Sequence, residues 1–166
     1  PIPLHLQKCS KYLGYSLGSL WMFRHRKFIP KTSIKVVLAP ILGFTRDHNL
    51  GGKTTALQLN YLIKLVKQSK DKAPLVNFYA NCNIPFPKIL LKTLPNRSTL
   101  LKGLEFLQSV IATKGSVLDF KVIVGDNDVL LDAIKLKKLI PQTEIVLGAG
   151  HAPDRLLKKL ASIIGQ

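Results

Sequence analysis

FKVIVGDNDVLLDAIKLKKLIPQTEIVL, residues 120–147, packs an apolar run, a helical stretch and a second apolar run into close succession. Phe120–Val124 is continuous and β-branched, the pattern of a strand buried on both faces. Asp126 or Asn127 can cap a helix running from Asp128 to about Leu139, and Pro141 prevents its continuation. Thr143–Leu147 reads as the next strand. Two buried strands joined by a helix run parallel, because the crossover returns the chain to the edge from which it left.

The alternation extends in both directions. Ile34–Leu38 (IKVVL), closed by Pro40, reads as a strand, and Lys53–Ser69 as a helix with Leu59, Leu62, Ile63 and Val66 at helical spacing. Pro74–Tyr79 (PLVNFY) reads as a further strand, and proline-rich Ile84–Arg97 as a loop or irregular crossover. Ser98 can cap a helix bearing Leu100, Leu104, Leu107 and Ile111, and Pro153 suits the first turn of a last helix striped by Leu156, Leu157, Leu160, Ile163 and Ile164. The expected fold is α/β: a doubly wound, flavodoxin- or Rossmann-like, mostly parallel sheet of four or five strands with helices on both faces. Residues 1–33 are expected as a basic arm packed on a single domain spanning 34–166.

The chain has 166 residues, 25 basic against 9 acidic, for a net charge of +16. Its 46% apolar content fits a folded domain rather than a disordered basic tail. No apolar run reaches the roughly 18 residues needed to span a bilayer, so no membrane partner is expected. Residues 1–102 hold 17 basic but 2 acidic residues, whereas 103–166 hold 8 and 7. Such a one-sided field is the footprint of a polyanion partner. Cys9 and Cys82 are too few for a disulfide framework or zinc site and read as reduced, buried thiols. The sequence begins at Pro1 rather than Met, as expected either of processing or of a start lying upstream, and this decides nothing about a removed targeting segment.

Gly51-Gly52-Lys53-Thr54-Thr55 resembles the end of a phosphate-binding loop, but the required early glycine is replaced by Asp47, whose carboxylate would repel a phosphate. A glycine-flexed entry to a helix is preferred. Gly125-Asp126-Asn127-Asp128 follows a strand as a nucleophile elbow does, with His151 downstream, yet Asn127 cannot attack a carbonyl. Asp126 and Asp128 are read instead as favouring a helix N-terminus, and His151 as a loop residue. The four histidines are scattered, so no metal site is expected. Trp21, Phe23 and Phe28 interleave with Arg24, His25, Arg26 and Lys27; the charges suit RNA phosphates and the rings suit packing.

Read in order, Tyr12-Leu13-Gly14-Tyr15, Trp21, Lys27-Phe28-Ile29, Ile34-Lys35-Val36-Val37, Asp132-Ala133-Ile134-Lys135 and Lys138-Leu139-Ile140-Pro141 resemble motifs of the bacterial and organellar small-subunit ribosomal protein two family. Met22-Phe23-Arg24-His25 and Leu147-Gly148-Ala149 depart from its pattern, as a divergent, shortened organellar copy would. The resemblance implies a non-catalytic structural constituent of the small ribosomal subunit, in the mitochondrial matrix or alternatively a plastid or bacterial cytoplasm. Its implied partners are small-subunit rRNA and neighbouring ribosomal proteins, with no cofactor and no small-molecule substrate. The expected RNA contacts are Arg24, Arg26, Lys27, Lys31, Lys35, Arg46 and Arg97. The alternative is a degenerate α/β-hydrolase-fold or P-loop-like nucleotide-binding protein.

Overall fold

A computed structural model describes residues 10–69, 71–85 and 94–164. Its centre is β2 (Ile34–Leu38), paired in parallel with β1 (Lys11–Tyr15) on one side and β3 (Lys121–Gly125) on the other. β3 in turn pairs with β4 (Glu144–Val146), giving the order β1-β2-β3-β4. Val36, Val37 and Leu38 are all buried, as are Val122, Ile123 and Val124. Consecutive strand residues face opposite ways, so both faces of the sheet are covered, which is the α/β architecture expected.

Parallel pairing demands crossovers, and each has a helix. α1 (Leu17–Arg24) joins β1 to β2, and α6 (Ala133–Leu139) joins β3 to β4. After β4, α7 (Pro153–Ile164) packs against β2, β3 and β4, burying Leu156 and Leu160. The β2–β3 connection is the longest. It carries α2 (Ala56–Gln68), α3 (Ala73–Asn81), α4 (Arg97–Ser109) and the single turn α5 (Lys114–Val117), with α2 packed on both α3 and α4. Thr55 starts α2 with a reciprocal cap: its Oγ1 accepts from Gln58 N at 3.0 Å while its own N–H donates to Gln58 Oε1 at 2.8 Å.

Several elements differ from their sequence reading. Pro74–Tyr79 is helical, because Pro74 lies in the first turn, where its fixed φ is favourable and its missing N–H has no intrahelical partner to lose. A short apolar run does not reveal its own period. α4 is capped by Asn96, whose side chain accepts from Thr99 N, rather than by Ser98. α6 begins at Ala133 under an Asp132 cap, five residues after the expected Asp128. In α7 Leu157 is exposed, so its buried stripe is narrower than the sequence suggests. Of residues 1–33, 11–15 form β1 and 17–24 form α1, while 1–9, with Cys9, lie outside the described residues, as do 86–93 of the proline-rich segment.

The end of the sheet where β2 and β3 begin is tied by one carboxylate. Asp119 accepts from Arg26 Nε at 2.9 Å and lies 3.3 Å from Nζ of Lys35, which is buried and also donates to Ser33 O at 2.7 Å. The Arg26 guanidinium, by hydrogen bonding, holds the Asp119 carboxyl below its ordinary 3.8, with Lys35 adding to the effect. A depressed folded value means that the contribution is present above the unfolded value and lost as pH falls through the folded one. Thermal melts of the native protein and of Asp119→Asn should therefore converge as the pH is lowered from about 5 to about 2. A stability difference that stays constant over that range would refute the assignment.

Candidate active site

β1 ends at Tyr15, and the next residue turns sharply into α1. Ser16 adopts φ 50°, ψ −118°, a conformation that side chains other than glycine's rarely enter. Two hydrogen bonds hold it there: Ser16 N donates to Leu38 O, and Ser19 N donates to Ser16 O, both at 3.0 Å. The turn brings α1 back over its own strand. A Cβ on Gly14 would lie 2.6 Å from Met22 Sδ and 3.1 Å from Ser19 Cα, so the position requires glycine. Gly14-Tyr15-Ser16-Leu17-Gly18 is thus a G-x-S-x-G strand–turn–helix, the geometry that lifts a serine hydroxyl above the carboxyl edge of a sheet.

The loops after β3 and β4 meet this serine at the same edge. His151 Nε2 lies 2.9 Å from Ser16 Oγ, and its Nδ1 lies 2.7 Å from Asp128 Oδ2. Both His151 and Asp128 are buried. The second carboxylate oxygen, Oδ1, accepts from Leu130 N at 2.8 Å and Leu131 N at 3.1 Å. With the carboxylate ionised, Nδ1 carries the imidazole proton toward it, which leaves Nε2 to accept from the serine hydroxyl.

Backbone contacts fix the two loops to one another. Asn127 N donates to Ala149 O at 2.9 Å, and Asp126 N to Val146 O at 3.3 Å. Gly125 makes this approach possible, because a Cβ there would sit 2.1 Å from Ala149 O. Tyr15 donates its hydroxyl to His151 O at 2.9 Å, its ring 5.6 Å from the imidazole. Burial, reinforced by the nearby Asp128 charge, pushes the Tyr15 phenol up, so it remains a donor. Burial also raises the Cys82 thiol to about 11, with Asp128 contributing, which keeps this free cysteine neutral and poorly nucleophilic.

The expected RNA contacts lie elsewhere or are engaged within the fold. Arg26 and Lys35 hold Asp119, at the opposite end of the strands from Ser16. Arg97 donates to Ser69 O. Arg24, Lys27, Lys31 and Arg46 are exposed, Lys27 lying 5.0 Å from the Phe28 ring. The sequence alone presents Asp128 as a helix-favouring carboxylate and His151 as a loop residue; the structure joins them. Ser16 is not among the residues that the sequence reading singles out. The G-x-S-x-G spacing was its available signal, masked because the five-residue strand before it, KYLGY, has no continuous apolar run.

Comparison with known proteins gives the same architecture. An esterase from Exiguobacterium antarcticum superposes with a TM-score of 0.73 at 15% identity, over 93% of this chain and 66% of its own. A hydrolase from Pseudomonas aeruginosa gives 0.60 at 19% identity over 94% and 64%, and an esterase from Rhodococcus gives 0.58 at 16% over 94% and 65%. The chain thus spans slightly under two thirds of the length of these structures. No family model and no curated protein matches the sequence. At these identities the likeness establishes the α/β-hydrolase fold.

That fold, with the assembled Ser16–His151–Asp128 line, overturns the resemblance to the ribosomal protein family. The non-catalytic role in the mitochondrial small subunit, the rRNA and ribosomal-protein partners and the exclusion of a small-molecule substrate fall with it. The ribosomal motifs matched because any parallel α/β chain alternates apolar strands with amphipathic helices. In α6 Ala133 and Leu136 are buried, whereas Ile134 is exposed.

The strain at Ser16 is measurable. Ser16→Ala and Ser16→Gly both remove the hydroxyl, but only glycine relaxes the backbone. The Gly variant should be the more stable of the two by about 1 kcal/mol in urea denaturation, the reverse of the usual order. The usual order, with Ala above Gly, would show that the turn is unstrained.

Proposed function

We propose that this protein is a serine hydrolase that cleaves an ester or related acyl bond of a small molecule through an acyl-enzyme on Ser16. One observation carries the reading: a serine on a strained elbow, a histidine and a buried carboxylate joined in line by hydrogen bonds of 2.9 and 2.7 Å. The chain order, Ser16 then Asp128 then His151, is the order of α/β-hydrolase triads. The esterase and hydrolase structures on the same fold support it.

Ser16 Oγ attacks the substrate carbonyl carbon as its proton passes to His151 Nε2. Asp128 holds the ring in the required tautomer and stabilises the imidazolium without taking the proton. The oxygen of the tetrahedral intermediate accepts from Leu17 N–H, the first amide of α1, which has no intrahelical partner. Collapse breaks the bond to the leaving group, which departs with the proton from Nε2. A water then loses a proton to Nε2 and attacks the acyl carbon. The second collapse returns that proton to Ser16 Oγ and releases the acid. Leu17 is the donor that the described residues offer by this geometry; such folds draw a second from a loop before the nucleophile strand, and β1 is the first described strand.

A fluorophosphonate probe should label the purified protein at Ser16, and short-chain 4-nitrophenyl esters should be turned over. Ser16→Ala should abolish labelling, and Asp128→Asn should lower kcat by about 10⁴-fold with the fold retained. Labelling and turnover that survive Ser16→Ala would overturn the proposal.

A further inference from the structure

Gly52-Lys53-Thr54, the stretch that resembles a phosphate loop, sits against the loop of the acidic triad member. Lys53 N donates to Leu130 O at 2.8 Å, Lys53 Nζ donates to Asp128 O at 2.5 Å, and Gly52 bridges Leu131. The ammonium therefore stands at the margin of the active-site loop, with one of its three protons engaged there.

It also lines a cavity of about 360 Å³ between α2, α3 and the loop after β3. The walls are largely apolar, with Tyr61, Leu62, Phe78, Val129 and Leu130 prominent. The polar lining is made of hydroxyl, amide and thiol groups together with the Lys53 cation, with no carboxylate among the described lining residues. Asp128 holds that cation through its backbone carbonyl, while its carboxylate is buried and bonded to His151, Leu130 and Leu131. The chain as a whole has the same sign, with a net charge of +16.

We infer that Lys53 selects substrates carrying a carboxylate: the anion pairs with its ammonium, the apolar body fills the cavity, and the scissile carbonyl reaches Ser16. The inference rests on the hydrolase reading and narrows it to one substrate class. A single cation among largely apolar walls fixes orientation as well as charge. The excess positive charge, which first pointed to a polyanion, then acts as a steering field that concentrates anionic esters at the cavity mouth.

The test compares mono-4-nitrophenyl esters of dicarboxylic acids, succinic through suberic, with neutral methyl-capped esters of equal length. The readout is the ratio of kcat/KM for the anionic ester to that for its neutral match. This ratio cancels any general loss caused by disturbing Asp128. In the native protein it should exceed 10 for at least one length and fall toward 1 as sodium chloride is raised. Lys53→Met should bring it near 1 through KM of the anionic ester, and Lys53→Arg should restore it. If Lys53→Met does not fold, inhibition of the native protein decides: octanoate should compete at least tenfold better than octanol. A native ratio at or below 1, a ratio unmoved by Lys53→Met, or equal inhibition by the acid and the alcohol would overturn the inference while leaving the hydrolase reading intact. No turnover of either ester together with no labelling at Ser16 would instead remove the reading beneath it.

Discussion

A carboxylate shut away from solvent has to find all its partners inside the protein, and Asp128 is such a group. An isolated buried charge would be expelled or neutralised. Here one oxygen takes the His151 Nδ1–H and the other takes two backbone amides, so the ion is fully satisfied. The surrounding construction follows from that requirement. The loop after β3 must curl to aim Leu130 and Leu131 inward, and Gly52-Lys53 must brace it from outside. The loop after β4 must deliver His151, which needs Gly125 to let Ala149 approach. Ser16 then meets an imidazole already fixed in place.

The sheet was legible because its inner strands are continuous apolar runs: IKVVL and FKVIV could hardly be anything but strands covered on both faces. The edge strand KYLGY was not, since it alternates only weakly and begins on an exposed lysine. Losing that strand meant losing the residue that follows it. The triad is the product of three loops meeting at one sheet edge, and sequence spacing does not encode such a meeting. Asp128 and His151 each had a plausible local role, and only the third member revealed their shared one. Gly125–Asp128 has the look of an elbow at the end of a strand and lies at the correct edge, but it is the acid's loop rather than the nucleophile's.

The charge of the chain teaches a related point. Counting signs along the sequence located an excess of cations but not their employment. Arg26 and Lys35 hold down the start of β3 through Asp119, and Arg97 closes the α2–α3 turn onto Ser69. Guanidinium and ammonium groups thus serve as internal ties as readily as they serve a partner.

The excursion between β2 and β3 leaves the sheet, packs α3 and α4 against α2, and returns. It lends no member to the Ser16–His151–Asp128 line, yet it supplies much of the wall facing the cavity. The proposed catalytic line and most of the cavity wall are therefore carried by different stretches of chain. On the proposed reading, drift in the helical excursion alters what is accepted while the Ser16–His151–Asp128 line stays as it is, a division of labour that leaves one machine open to many diets.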